Sequence, residues 1–96
     1  MEELNEIHKV CRIIFIIAVI NFLAFVFIGL IIGGDAVNGH ETAGHYYLAN
    51  HGQLTEVSYF VFFYSKIHAS SIFITHLLAV IAIIVYYVTG GKKENF

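Results

Sequence analysis

The chain has no proline, no tryptophan, one cysteine and few charges, the last making up only 12% of its 96 residues. A lone Cys11 excludes an internal disulfide. Free cysteine commonly packs as a small buried hydrophobe, and that is the expectation for Cys11, ahead of membrane-proximal acylation. The scattered lysines and arginines form no phosphate-binding patch, and a formal net charge of −2 gives nucleic acid nothing to hold. Motifs of catalysis are missing as well. There is no nucleophile elbow, no Ser–His–Asp order, no phosphate loop and no dinucleotide fingerprint. Ser70 and Ser71 stand close to His68, but such neighbours are ordinary on a helix.

What the chain has in abundance is apolar surface: 58% of its residues are hydrophobic. A soluble domain this small has no interior large enough to hide them, so the composition points to the bilayer. The first apolar run, 13–32, is uncharged, with Asn21 its only strongly polar side chain. As a helix it covers ~30 Å, the thickness of the hydrocarbon core. Arg12 closes it on one side; Gly33, Gly34 and Asp35 close it on the other. It exceeds the roughly 7–15 residues of a cleaved signal's apolar region, so an uncleaved signal-anchor is expected. The second run, 55–89, would measure ~52 Å as one helix, so part of it must stand outside lipid. Residues 69–88 are its cleanest membrane segment, with Thr55 as N-cap and Gly90 and Gly91 as the stop.

Basic residues set direction. Lys9 and Arg12 precede the first span, Lys92 and Lys93 follow the second, and the connection 33–57 has no lysine or arginine. The positive-inside rule then puts residues 1–12 and 90–96 in the cytoplasm and the connection outside. Tyr59, Phe60, Phe62, Phe63 and Tyr64 would form the outer aromatic belt, and Tyr86 and Tyr87 the inner one. The expected fold is an all-α integral membrane protein: a two-span transmembrane helical hairpin with an ordered outer loop, in a bacterial inner membrane.

The second helix carries Tyr64, His68, Ser71, Thr75, Ala79 and Ala82 on one stripe. The first carries Ala18, Phe25, Gly29 and Gly33, with Asn21 at the edge and Gly29 to Gly33 matching G-x-x-x-G. Asn21, Gly29, Gly33, Ser71, Thr75 and Ala79 are therefore candidates for close helix packing. If the ends of the two apolar runs are level, Asn21 is level with Val80 and within a turn of His76, allowing an Asn21–His76 hydrogen bond. The same scheme brings Asp35 near Lys66 and His68. Ser65 and Ser70 fall outside the seam and would seek another protein surface.

Six histidines are unusual in so short a chain. His76 and His68 are candidate haem ligands or proton carriers. One intramembrane histidine without a partner at its depth makes a poor haem site, so hydrogen bonding is the plainer role for His76. In the connection, His40, His45 and His51 could ligate zinc or copper with Asp35, Glu41, Glu56 and His68 nearby. Their spacing fits no known metal motif, which leaves polar loop contacts as the alternative. No cofactor is favoured among haem b, zinc and copper. The acidic residues lack a calcium-loop register.

Tyr46, Tyr47, Leu48 and Leu54 make this connection unlike a linker. Turn signals occur at Asn38–Gly39 and at Asn50-His51-Gly52. A short β-hairpin pairing 45–49 with 53–57, or a short helix over 41–50, would satisfy the pattern. The expected role is non-enzymatic: an accessory or structural subunit of a membrane assembly, as a homo-oligomer or within a larger complex, recognised through its outer loop. A haem- or metal-binding electron-transfer subunit is the first alternative. An oligomeric proton or ion pathway lined by His68, Ser71, Thr75 and His76 is the second.

Overall fold

The computed structural model describes residues 2–90. Helix α1 (Glu2–Ile32) leads into strands β1 (Asp35–Thr42), β2 (His45–Asn50) and β3 (Gln53–Val57), and helix α2 (Tyr59–Val88) follows. Two long apolar helices are thus joined by a small three-stranded antiparallel sheet of order β1-β2-β3. Both helices are long and apolar enough to cross a membrane; at 1.5 Å per residue each runs ~45 Å. α1 starts well before the apolar run, with Glu2 and Glu3 complementing the helix dipole in its first turn. Gly91, Lys92 and Lys93 lie outside the described residues.

The all-α expectation is corrected by the sheet. The 45–49/53–57 hairpin is present, with Tyr46 opposite Val57 and Asn50 opposite Gln53; the alternative helix over 41–50 is not. Period-2 alternation wins because Tyr46 and Leu48 turn to one face and are covered there. The third strand, β1, came without an apolar alternation to announce it: its burial pattern has only Ala36 fully covered.

The turns differ from expectation in an instructive way. Asn50-His51-Gly52-Gln53 reverses the chain, with φ of 51° at His51 and 83° at Gly52, the left-handed pair of a two-residue hairpin. The other reversal is at Ala43–Gly44, not at Asn38–Gly39; Ala43 holds φ 52° and Gly44 φ 80°, with Thr42 paired to His45. Asn38–Gly39 belongs to a bulge in β1. Between Asp35 and His40 the strand takes five steps while β2 takes two, from Ala49 to Tyr47. The Asp35 carboxylate accepts from the Asn38 backbone N–H at 3.0 Å and closes the bulge. Gly39 is required where it returns, because a Cβ there would collide with the Tyr47 carbonyl.

The joint between α1 and the sheet is made by two glycines. The N–H groups of Gly33 and Gly34 both donate to the Gly29 carbonyl, at 3.0 and 2.7 Å, with φ of 101° and 128°. Gly33 therefore lies beyond the helix. The G-x-x-x-G match serves as a stop signal here, so Gly33 offers no helix-packing face. At the other joint Ser58, not Thr55, caps α2: its Oγ accepts from Val61 N–H at 3.3 Å. Thr55 sits inside β3 and donates to the Gly33 carbonyl at 3.3 Å.

The chain divides into two compact units, one combining α1 up to Asn21 with α2 from Phe73, the other running from Phe22 to Ile72. The second unit contains the sheet and a small core of Ala36, Leu48 and Phe62, flanked by Ile32, Tyr46, Val57 and Val61. Ser65 belongs to that core. It is 1% exposed, and its Oγ accepts from the Ala36 N–H at 2.9 Å, which corrects its placement outside the seam.

Two substitutions check this account. Gly39→Ala is expected to cost about 2–4 kcal/mol by forcing β1 off β2. Ala43→Asn is expected to add about 1 kcal/mol, since asparagine tolerates the left-handed region better than alanine. Thermal unfolding in detergent, with hydrogen exchange at the sheet amides, measures both; opposite signs would refute the assigned turn and bulge.

Candidate functional site

Strand alternation sorts the connection into two faces. Tyr46, Leu48, Thr55 and Val57 share the core face. His40, His45, Tyr47, Leu54 and Glu56 share the outer one. On that outer face the Tyr47 ring stands 5.3 Å from His40 and 6.4 Å from His45, centroid to centroid. His45 Nδ1 is 2.6 Å from Glu56 Oε2, and both side chains are about half exposed. An exposed pair of this kind contributes little to stability, so its value lies in presenting imidazole and carboxylate together. On the core face, the Tyr46 phenol is raised above its ordinary value, first by burial and then by the Glu41 carboxylate opposite it.

His51 departs from the other two loop histidines. It occupies the β2–β3 turn and, with Asp35, borders a recess of about 230 Å³ beside Phe25 and Gly34. Among the described residues no three His, Cys, Asp or Glu side chains converge as a metal cluster. The structure brings both His40 and His45 close to the ring of Tyr47 and leaves His51 at the β2–β3 turn.

Within the same unit, His68 shares a 2.6 Å hydrogen bond from Nδ1 to Tyr64 Oη and meets the Phe25 ring edge-on at 5.1 Å. Ser71 donates to the His68 carbonyl at 2.6 Å, and Ser70 donates to the Lys66 carbonyl at 3.0 Å. The expected approach of Asp35 to Lys66 is corrected. Asp35 is taken up by Asn38, whose side-chain amide reaches both carboxylate oxygens at 3.2 and 3.1 Å. Lys66 lies over the Phe62 ring at 5.4 Å.

In the other unit, Ala18, Ala79 and Ala82 are buried and allow the helices to approach. Asn21 Nδ2 donates to Thr75 Oγ1 at 3.3 Å. Pairing of Asn21 with Thr75, not with the level of Val80, is a shift of ~7 Å along the helix. Each helix ends with its apolar run but begins well before it, α1 at Glu2 and α2 at Tyr59, so the ends of the runs do not by themselves set the level. His76, the next residue, is exposed on the surface of this unit. Gly29 belongs to the sheet-bearing unit, where its carbonyl serves the helix stop.

Sequence reasoning missed His8. It precedes the apolar run, yet it is 0% exposed. Its Nε2 is 2.6 Å from Thr89 Oγ1, and its ring stands 4.9 Å from Tyr86. The Thr89 hydroxyl has one proton, and the Val85 carbonyl at 2.7 Å is placed to accept it. That oxygen then accepts from His8, which puts the proton on Nε2. The available signal was spacing: His8, Cys11, Ala18 and Asn21 continue a heptad-like row toward the N-terminus. Cys11 is buried, as expected.

Two grooves flank this row. One, of about 430 Å³, is lined by Cys11, Arg12, Phe15, Ile16, Ala82, Ile83, Tyr86 and Tyr87. The other, of about 360 Å³, shares Cys11 and Ala82 but is otherwise apolar, with Glu6 at its margin. Comparison with protein-family models, with curated proteins and with solved structures finds no match.

Double-mutant cycles check the polar pairs. Asn21→Leu with Thr75→Val is expected to show a coupling of about 0.6 kcal/mol. His8→Phe with Thr89→Val is expected to show about 1 kcal/mol. Additive effects in either cycle, read from unfolding in detergent, would remove that contact from the account.

Proposed function

We propose that this chain is a small, non-enzymatic integral membrane protein, an accessory or structural subunit of a membrane assembly. Both helices span the bilayer, the termini face the cytoplasm, and the sheet stands outside as the recognition surface. A bacterial inner membrane suits this arrangement. The carrying observation is the pairing of an ordered sheet with helices that bury almost none of their apolar side chains. Ile31 and Phe73 are each 69% exposed and Phe60 is 81% exposed, a degree of apolar exposure that water does not tolerate and lipid does.

Orientation follows from Lys9 and Arg12 at one end and from a connection free of lysine and arginine at the other. The outer face then presents His40, His45, Tyr47 and Glu56 on a backbone fixed by two tight turns and a bulge. Aromatic rings flanked by polar groups are favourable recognition elements because they order few rotatable bonds on contact. The partner is a second copy or another membrane subunit.

Labelling tests the topology. In a Cys11→Ala background, Gln53→Cys should react with an impermeant maleimide in intact cells, and Glu3→Cys only after permeabilisation. The assembly is tested by native electrophoresis from mild detergent. Migration well above the 10.8 kDa chain is expected, with loss of that species on combining His45→Ser and Tyr47→Ser. Extraction into carbonate, labelling at both sites in intact cells, or unchanged migration of the double variant would refute the reading.

A further inference from the structure

We propose that the groove ending at Arg12 is a binding site for one anionic phospholipid, with the phosphate on Arg12 and an acyl chain along the apolar walls. The inference rests on the membrane reading above and adds a ligand to it. The groove has the chemistry of an amphiphile in the right order. Its floor is Cys11 and Ala82, its walls include Ile16 and Ile83, and Arg12 and Tyr86 stand together where the apolar run begins. Its volume of about 430 Å³ suits a hydrocarbon chain segment better than any compact polar ligand.

Arg12 supplies the selectivity. It has no carboxylate partner among the described residues; its guanidinium instead lies 6.0 Å from the centroid of the Tyr86 ring. A cation–π contact at that distance uses none of the guanidinium N–H donors, whose fork geometry matches phosphate. The position is also right. One residue before the apolar run is headgroup level, where basic groups between membrane helices attract anionic lipids. The second groove is an internal contrast. It shares the floor but carries Glu6 at its margin, which repels the same headgroup.

The test uses the full chain reconstituted in nanodiscs of equimolar phosphatidylglycerol and phosphatidylcholine with identical acyl chains, followed by release and native mass spectrometry. The expected result is one retained lipid per chain, with phosphatidylglycerol favoured about five-fold, the effect of one basic group at the surface. Arg12→Gln should bring the preference to about one, while Glu6→Gln should leave it in place. A wild-type ratio near one, a ratio that survives Arg12→Gln, a ratio that changes equally with Glu6, or retention of a fatty acid in place of phospholipid would each overturn the proposal. Failure of the chain to enter nanodiscs at all would instead overturn the membrane reading.

Discussion

Everything outside the helices depends on how α1 is brought to an end. An α-helix leaves its last carbonyls unpaired, and a chain that must turn at once into a sheet has no length in which to satisfy them. Gly33 and Gly34 solve this together. Their two N–H groups close on the Gly29 carbonyl, and their left-handed φ angles redirect the backbone into β1. Both positions are also tightly enclosed: a Cβ on Gly34 would strike the Ala49 carbonyl, and one on Gly33 would strike the Thr55 side chain. The same two residues thus stop the helix and seat the sheet.

The sheet is then fixed by a few enclosed contacts. Leu48, fully buried, is the centre of a core too small to hold three strands by hydrophobic burial alone. Ser65 supplies the missing constraint, accepting from the backbone of Ala36 and so tying the bulged edge strand to α2. A buried hydrogen bond of this kind is costly to leave half-made, which makes it a stronger determinant of position than of stability. With the core face occupied in this way, alternation leaves His40, His45, Tyr47 and Glu56 on the other face.

In the remaining unit the constraint is polar pairing between mostly apolar helices. His8 with Thr89 and Asn21 with Thr75 set the register of the two segments, and the alanines between them permit the approach. Apolar side chains alone would specify neither register nor depth, because sliding one oily surface along another costs little. The two grooves beside this row share the small residues Cys11 and Ala82, which leave open space along their flanks.

Much of this was legible in the residues. Long, predominantly apolar runs pointed to two long helices, since a helix satisfies the backbone of such a segment internally. The alternation of Tyr46 and Leu48 with the Asn50-His51-Gly52 turn allowed the β2–β3 hairpin, beside a short helix over 41–50, and the folded chain chose the hairpin. Other features were decided only by tertiary structure. β1 lacks an apolar alternation and exists because β2 offers it an edge and Ser65 holds it there. Ala43 adopts a conformation that it would not choose alone, because its neighbours on both sides are already paired. His8 reads as a polar residue outside the apolar run and is buried because Thr89, 81 positions away, returns to meet it. Local pattern could settle what each segment is, since periodicity and backbone satisfaction are properties of the segment itself. Which polar groups meet was left to the folded chain, because hydrogen bonds between distant residues depend on a register that no segment carries alone.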